Sequence, residues 1–393
     1  MKKSKVLMFT DTHSLKGGAE KYFFYLKKEL QNKNVQVYSL GFGPKKEKGK
    51  NYQVIKETGF LFIRHFWRMF FNPLKYFQLR KYIKKINPDV IHLHNINKYT
   101  ISLLRAVKGY NVVQTVHDYG LVCPALWNVH DDLKPCPTGL KFGCIRKHRR
   151  NYNWLVYISM LWFFWKRNRL LRKKVKMFIA PAPILADYLK KQGFHDVVFL
   201  PYIIDVKRKK IKKSNTRHIL FIGQLEENKG VSFLVKAMKN VVQKVPGTKL
   251  LIAGTGSQEQ ALKNQVNKLH LNDNVEFLGW VSDADKIYQR CCFVVVPSIW
   301  MENAPVSIFE AMSHAKPVIG SNRGGIPWLV KDSETGFIVD VVKGGLSRKI
   351  ISLLKNEKLR ERFGRNAYKH LNEIMDKNKI LKQLIGIYIK NKK

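Results

Sequence analysis

Short runs of β-branched and apolar residues recur along this chain at the spacing of a parallel α/β sheet, and they do so in two series. Residues 5–9, 35–39, 90–94, 112–116 and 177–180 make the first, and residues 219–222, 249–252, 275–278, 293–296 and 317–319 the second. Runs this short and this apolar suit strands buried on both faces, with helices as the crossovers that parallel strands need. A lysine-rich polar stretch, 205–217, separates the series and reads as a linker. At 393 residues the chain has room for two cores. The expectation is an α/β protein of two Rossmann-like parallel-sheet domains. Ligands of such sheets bind beyond the carboxyl ends of the strands, so the domains are expected to face a crevice.

The charge balance narrows the partners. Lys and Arg number 72 against 28 Asp and Glu, a formal net charge of +44 with a pI near 10.1. Such a surface seeks polyanions: nucleic acid, an anionic membrane or an acidic glycan. No helix-turn-helix, RRM or zinc-finger pattern supports specific nucleic-acid binding. The apolar run at residues 6–9 is too short for a secretory signal, and the one at 152–165 is shorter than the roughly 20 residues a spanning helix needs. Five cysteines, an odd number with Cys291 and Cys292 adjacent, fit a reducing compartment.

Glu302 and Glu310 frame the most informative segment. Asn303 and Pro305 are expected to open a helix, because Pro in a first turn loses no hydrogen bond. Glu302 then stands in the loop above the sheet, with Glu310 about two turns along. The backbone between them, at Asn303, Ala304, Pro305 and Val306, suits a phosphate at a helix start. One carboxylate can take sugar hydroxyls and the other a ribose. The same spacing also fits a solvated glutamate beside a cap and a second on a helix face. Gly223 to Gly230 follows a strand and precedes a helical run, so that glycine, Lys229 and the helix start converge on a diphosphate. Gly17 and Gly18 follow the first strand and permit close backbone approach to a ligand. His117 ends the fourth run, with Asp118 beside it. Of His92 and His94, one is expected to point inward and the other toward the crevice mouth.

The Glu302–Glu310 segment resembles the E-x7-E signature of retaining glycosyltransferases of family 4, which have the two-domain GT-B fold. That resemblance covers most of the chain, because further segments fall in the family's order. It implies that Glu302 contacts the donor sugar and Glu310 the nucleotide ribose. It places Lys229 on the donor diphosphate, with Gln224 where the family usually has an Arg, so one cation is missing. It puts Gly17 and Gly18 beside the donor phosphate and His117 near the transferred sugar. The loop 277–281, with Val281, falls near the base. The glycine turn Gly324-Gly325 resembles a family turn, but Trp328 stands where a Glu is usual, and Arg323 is positioned to supply the cation that Gln224 lacks. The implied domains are 1–204 for the acceptor and 205–370 for the donor. A C-terminal helix in 371–393, with the stripe Ile380, Leu381, Leu384, Ile385 and Ile389, is expected to return to the first domain.

The implied activity is transfer of a sugar from a nucleotide-sugar, UDP- or GDP-linked, to a lipid-linked or polysaccharide acceptor in cell-surface glycan synthesis. Catalysis is assigned to His117 and Glu302. No cofactor is expected, since no Asp-x-Asp stands where it would serve the donor. Cys123, Cys136 and Cys144, with His130 and His148 nearby, lack paired C-x2-C knuckles and read as reduced structural thiols in preference to a zinc site. Two aromatic-basic runs, 60–85 (with Arg64, Phe66, Trp67 and Arg68) and 152–176, suit a membrane–water interface. The expected location is therefore the cytoplasmic face of the cell membrane, bound peripherally to an anionic surface. The rivals are a basic nucleic-acid-binding protein and a catalytically silent relative, the latter motivated by Gln224 and Trp328.

Overall fold

The computed structural model describes residues 4–13, 17–43, 45, 47–57, 70–123, 128–130, 133–136, 154–205 and 216–390. Of the residues singled out above, Arg64, Phe66, Trp67, Arg68, Cys144 and His148 lie outside these, as does most of the linker. The chain divides into two compact units: Met1–Asp131, Cys136–Ile204 and Lys377–Lys393 form one, Asp132–Pro135 and Asp205–Asp376 the other.

The first unit is built on an eight-stranded sheet of β1 (Lys5–Thr12), β2 (Gln36–Gly43), β3 (Glu47–Gly49), β4 (Tyr52–Lys56), β5 (Val90–Leu93), β6 (Val112–Thr115), β7 (Met177–Ala180) and β8 (Val197–Phe199). Their spatial order is β3-β4-β2-β1-β5-β6-β7-β8, and every pairing is parallel except β3 with β4. β5 and β6 are buried at every position, as strands covered on both faces must be. The sequence pattern misses β3, β4 and β8. β3 is a three-residue Glu-Lys-Gly strand with no apolar signal, and β8 carries only Val-Val-Phe at the sheet edge.

The second unit carries β9 (His218–Ile222), β10 (Lys249–Ala253), β11 (Val275–Gly279), β12 (Phe293–Val296), β13 (Val318–Ser321) and β14 (Gly336–Val339), in the order β11-β10-β9-β12-β13-β14. All pairings are parallel. The helix Val231–Lys244 buries Val231, Leu234, Val235, Met238 and Val241, a stripe at helical spacing, against the core formed by Ile219, Leu250, Ile252 and Phe293. This strand order reverses direction between β9 and β12. At such a switch point the loops leaving two neighbouring strands part to opposite sides and leave a hollow at their carboxyl ends.

The helix Glu357–Ile374 belongs to the second unit, which runs to Asp376, past the expected boundary at 370. The last helix, Lys377–Lys390, is assigned to the first unit and buries Ile380, Leu381, Leu384 and Tyr388. Tyr388 takes the place on the stripe expected of Ile389, which is exposed, because it stands four residues beyond Leu384.

Candidate active site

Lys229 and Glu302 stand on the two sides of the switch point in the second unit. Lys229 closes a single 3₁₀ turn, Glu227–Lys229, on the loop leaving β9; Glu302 lies on the loop leaving β12. The loops are tied directly, with the Ile299 N–H donating to the Asn228 carbonyl at 2.9 Å. Lys229 Nζ meets Glu302 Oε1 at 2.8 Å and sits 4.6 Å above the Trp300 ring. The Ser298 hydroxyl donates to the same Oε1 at 2.7 Å. The Glu302 carboxylate is thus held by one oxygen, and among the described residues none donates to Oε2. Glu302 and Asn303 are buried, so Glu302 is a fixed group and not a solvated one.

Backbone packing fixes Glu302 from the other side. Gly324 has φ of +56°, and a Cβ there would stand 1.9 Å from the Glu302 carbonyl oxygen. The Gly325 N–H donates to that oxygen at 2.8 Å. The glycine turn therefore braces the loop, and Arg323, buried, belongs to the same turn. Trp328 sets its ring at 66° to that of Phe309, centroids 6.4 Å apart, which gives it a packing role against the helix Val306–Ser313.

That helix begins at Val306 with Pro305 as its N-cap, and no side chain caps it. Glu310 consequently lies just over one turn into the helix, not two. It is half-buried, and Tyr288, fully buried, donates its hydroxyl to Glu310 Oε2 at 2.9 Å. Burial and the neighbouring carboxylate hold the Tyr288 phenol well above its usual range, so it stays a donor. Ala304 is buried, Pro305, Val306 and Val281 are half-buried, and Gln224 is exposed.

The loops after β9, β10 and β11 meet closely. Gly254, at φ +138°, leaves no room for a Cβ, which would fall 1.8 Å from the Gly223 carbonyl oxygen. The Glu226 carboxylate accepts from the Ser257 hydroxyl (2.6 Å) and N–H (3.0 Å), and those bonds hold it below the usual carboxylate range.

In the first unit Gly17 caps the helix Gly18–Asn32 with extended backbone. The Asp11 carboxylate accepts the N–H groups of Asn97 and Lys98, tying the end of β1 to the loop after β5 beside that sheet's own switch point. His117 is engaged at both ring nitrogens: Nδ1 pairs with the Tyr202 hydroxyl at 2.7 Å and Nε2 with His94 Nδ1 at 3.0 Å. His92 bridges the Tyr388 hydroxyl (2.7 Å) and Thr115 Oγ1 (2.8 Å). Both His92 and His94 are buried, contrary to the expectation that one reaches the crevice mouth. The last helix covers His92 with Tyr388, and the Tyr22 and His117 rings flank His94. Burial pushes His92 and His117 down to about 3 and His94 well below the ordinary range, so all three are neutral at pH 7. His117 itself retains part of its surface in solvent. Arg167, buried, donates to the Gly120 and Leu121 carbonyls and holds the turn after His117 and Asp118.

Ser298, Tyr288 and Arg167 went unread in the sequence. Ser298 lies four residues before Glu302, a proximity that is a usable signal; Tyr288 and Arg167 act across 22 and 46 or more residues and leave none. Cys123 and Cys136 are buried, and among the described residues no group of three His, Cys, Asp or Glu is placed to hold a metal ion.

Comparison with known proteins gives the site its context. Residues 203–370 match the family described as Glycosyl transferases group 1, and residues 16–208 match Glycosyltransferase Family 4. Phosphatidyl-myo-inositol mannosyltransferase of Mycobacterium leprae (strain TN) is 26% identical over 302 residues, 75% of this chain and 72% of that protein. Spore coat protein SA of Bacillus subtilis (strain 168) is 27% identical over 186 residues, 44% of this chain and only about half, 49%, of that protein's length. Among solved structures, a mutant of S. aureus TarM in complex with Fondaparinux, alpha-GlcNAc-glycerol and UDP superimposes with a TM-score of 0.74 at 13% identity, over 98% of this chain and 99% of that one. Sucrose-phosphate synthase from Thermosynechococcus elongatus gives 0.75 at 18% identity, over 99% of both chains.

Proposed function

This chain belongs to the group 1 / family 4 glycosyltransferases, a family of transferase enzymes, and has their GT-B fold; from that premise we propose that it transfers a sugar from a UDP- or GDP-sugar to a lipid-linked or polysaccharide acceptor in glycan biosynthesis, with retention of anomeric configuration. The observation that carries this reading is the tethered Glu302 carboxylate at the β9/β12 switch point, with Lys229 on one oxygen and the other open. UDP in the TarM complex and the mannosyltransferase name of the mycobacterial relative support a nucleotide-sugar donor and a glycan acceptor.

In this reading Lys229 and the uncapped helix start at Val306 take the donor diphosphate, a cation and backbone N–H groups together stabilising the charge of the leaving group. Glu302 Oε2 receives hydroxyls of the transferred sugar, and Glu310, held by Tyr288, receives the ribose. The acceptor hydroxyl attacks the anomeric carbon on the face the diphosphate leaves. The bond to the phosphate oxygen breaks, and that oxygen takes the acceptor's proton, so no protein nucleophile is required. His117 is neutral and orients a hydroxyl, which requires Tyr202 or His94 to yield one ring nitrogen. Arg323 supplies the second cation in place of Gln224; an Arg323→Ala variant with unchanged donor affinity would exclude that role. No metal takes part, and the enzyme works at the inner, anionic face of the membrane.

Turnover of purified protein with a panel of UDP- and GDP-sugars in EDTA, with the product linkage read by NMR, tests the mechanism. A product of the donor's own anomeric configuration, formed without divalent metal, is expected. Inversion, or a strict requirement for magnesium or manganese, would overturn it. The silent-relative reading predicts no nucleotide release from any donor.

A further inference from the structure

Two crossover helices of the first unit carry the same surface pattern. In Trp154–Lys174 the inner face buries Phe163, Phe164, Arg167 and Leu171, with Phe163 and Phe164 packed on Ile101. Its outer face shows Ile158, Trp162 and Trp165, then Arg169, Arg172 and Lys173, at the three- and four-residue steps of one helical stripe. In Pro73–Ile86 the outer face shows Leu74 and Phe77, then Lys81, Lys84 and Lys85. Each stripe is apolar in its N-terminal half and cationic in its C-terminal half. The helix Thr100–Ala106 packs against both, and each helix leads into a parallel strand, β5 or β7, so the two run in the same direction in one layer. Phe70 stacks on Trp162 at 5.4 Å and joins the apolar ends.

These ends are exposed well beyond what a core or a solvated face explains: Phe77 is 67% and Trp165 60% accessible. Lys166 lies 4.4 Å over the Trp162 ring and Arg169 5.5 Å over Trp165, cations laid on exposed indoles. A groove of about 840 Å³ runs alongside, lined by Leu161, Trp162, Phe164, Trp165, Arg169 and Lys173 among others. Between Asp132 and Asp187 the chain carries no acidic residue, so nothing in that segment offsets the cations.

We propose that this helical layer, through the outer stripes of Trp154–Lys174 and Pro73–Ile86, is a docking surface for an anionic phospholipid membrane. Rings and aliphatic side chains enter the interfacial region while the arginines and lysines meet the headgroup phosphates. A second copy of the same cationic face would be repelled. Single-stranded nucleic acid takes a cationic groove that tracks its backbone, with rings on which successive bases stack, whereas here the most exposed rings gather toward one end of each stripe and most of the exposed cations toward the other. The proposal deepens the transferase reading, on which it rests for a lipid-borne acceptor, by naming the surface that delivers the enzyme to it.

Flotation of the full chain tests this, using vesicles of phosphatidylcholine with a minor fraction of phosphatidylglycerol against vesicles of phosphatidylcholine alone. The wild type is expected to float with the anionic vesicles only. Trp162→Ser with Trp165→Ser lowers the partition coefficient at least about tenfold. Arg169→Gln with Lys173→Gln lowers it about twenty-fivefold, near fivefold per cation. Val342→Ser, an exposed apolar side chain in the second unit, changes nothing. An unchanged urea midpoint for each variant keeps misfolding out of the comparison. Undiminished flotation of the tryptophan variant, or equal binding to both vesicles, would overturn the assignment. So would a tryptophan-dependent dimer in sedimentation, or tryptophan-dependent binding of random single-stranded RNA in place of vesicle binding. No sugar nucleotide is present, so vesicle binding stands or falls separately from nucleotide release with detergent-solubilised lipid extract as acceptor, which reports on the transferase reading.

Discussion

Ser298 and Lys229 end on the same oxygen of Glu302, which makes Ser298 a positioning residue for the carboxylate. A hydrogen bond to a charged group contributes about 1.5–3 kcal/mol. Ser298→Ala is therefore expected to reduce kcat/KM by roughly tenfold or more while the fold survives; an unchanged value would remove Ser298 from the account. Gly324→Ala is more severe. Its Cβ would collide with the Glu302 backbone at a φ that L-residues rarely adopt. It should cost about 2 kcal/mol or more in urea unfolding and lower turnover together with it, because the loop carrying Glu302 must move. Glu302, Glu310 and Lys229 were singled out by spacing together with the family resemblance, and the structure brings Lys229 and Glu302 together at 2.8 Å. Their anchors were not readable, because a tyrosine 22 residues upstream acquires its meaning only when the helix Ala284–Arg290 is laid beside Val306–Ser313.

At the level of elements, the ends of β5 and β6 and the last helix share a largely buried cluster of two hydrogen-bonded sets, which meet where the His92 and His94 rings lie 4.3 Å apart. Tyr388, His92 and Thr115 form one part of it, and His94, His117 and Tyr202 the other. An unfolded histidine takes up a proton near pH 6.5, whereas burial holds His92 and His117 down to about 3 and His94 well below the ordinary range. The unfolded chain therefore binds protons that the folded chain refuses. Stability is full above about pH 6.5 and falls as pH drops from there toward 3, by about 1.4 kcal/mol per pH unit for each fully excluded proton. His117, partly in solvent, contributes less than the other two. Urea midpoints measured from pH 7 to pH 4 should show this decline, and a flat profile would contradict it. Tyr388→Phe leaves His92 Nδ1 without its partner and is expected to cost about 1–3 kcal/mol, with loosening of the last helix seen as faster amide exchange. The continuous apolar runs announced β5, β6, β12 and β13. The Glu47–Gly49 hairpin strand and the Tyr388–His92 contact, 296 residues apart, had no local signature.

For the whole molecule, the two α/β series seen as alternating apolar runs became two sheets, one parallel except for its β3 edge and one parallel throughout, each reversing direction at an internal switch point. The high positive charge spoke of polyanionic partners without naming one, and the exposed rings and cations of one helical layer are the surface proposed above to meet an anionic membrane. Among the described residues no helix is long and apolar enough to cross a membrane. The central claim is that Glu302 at the β9/β12 switch point handles the donor sugar of a transferase. Its most direct test is nucleotide release from a panel of sugar nucleotides, with membrane lipid extract as acceptor, by wild type and Glu302→Gln side by side. Release of one nucleotide by the wild type, reduced at least about hundredfold in a folded Glu302→Gln variant, is the predicted result. Equal release by both proteins would contradict the account, as would none from any donor by a folded wild type.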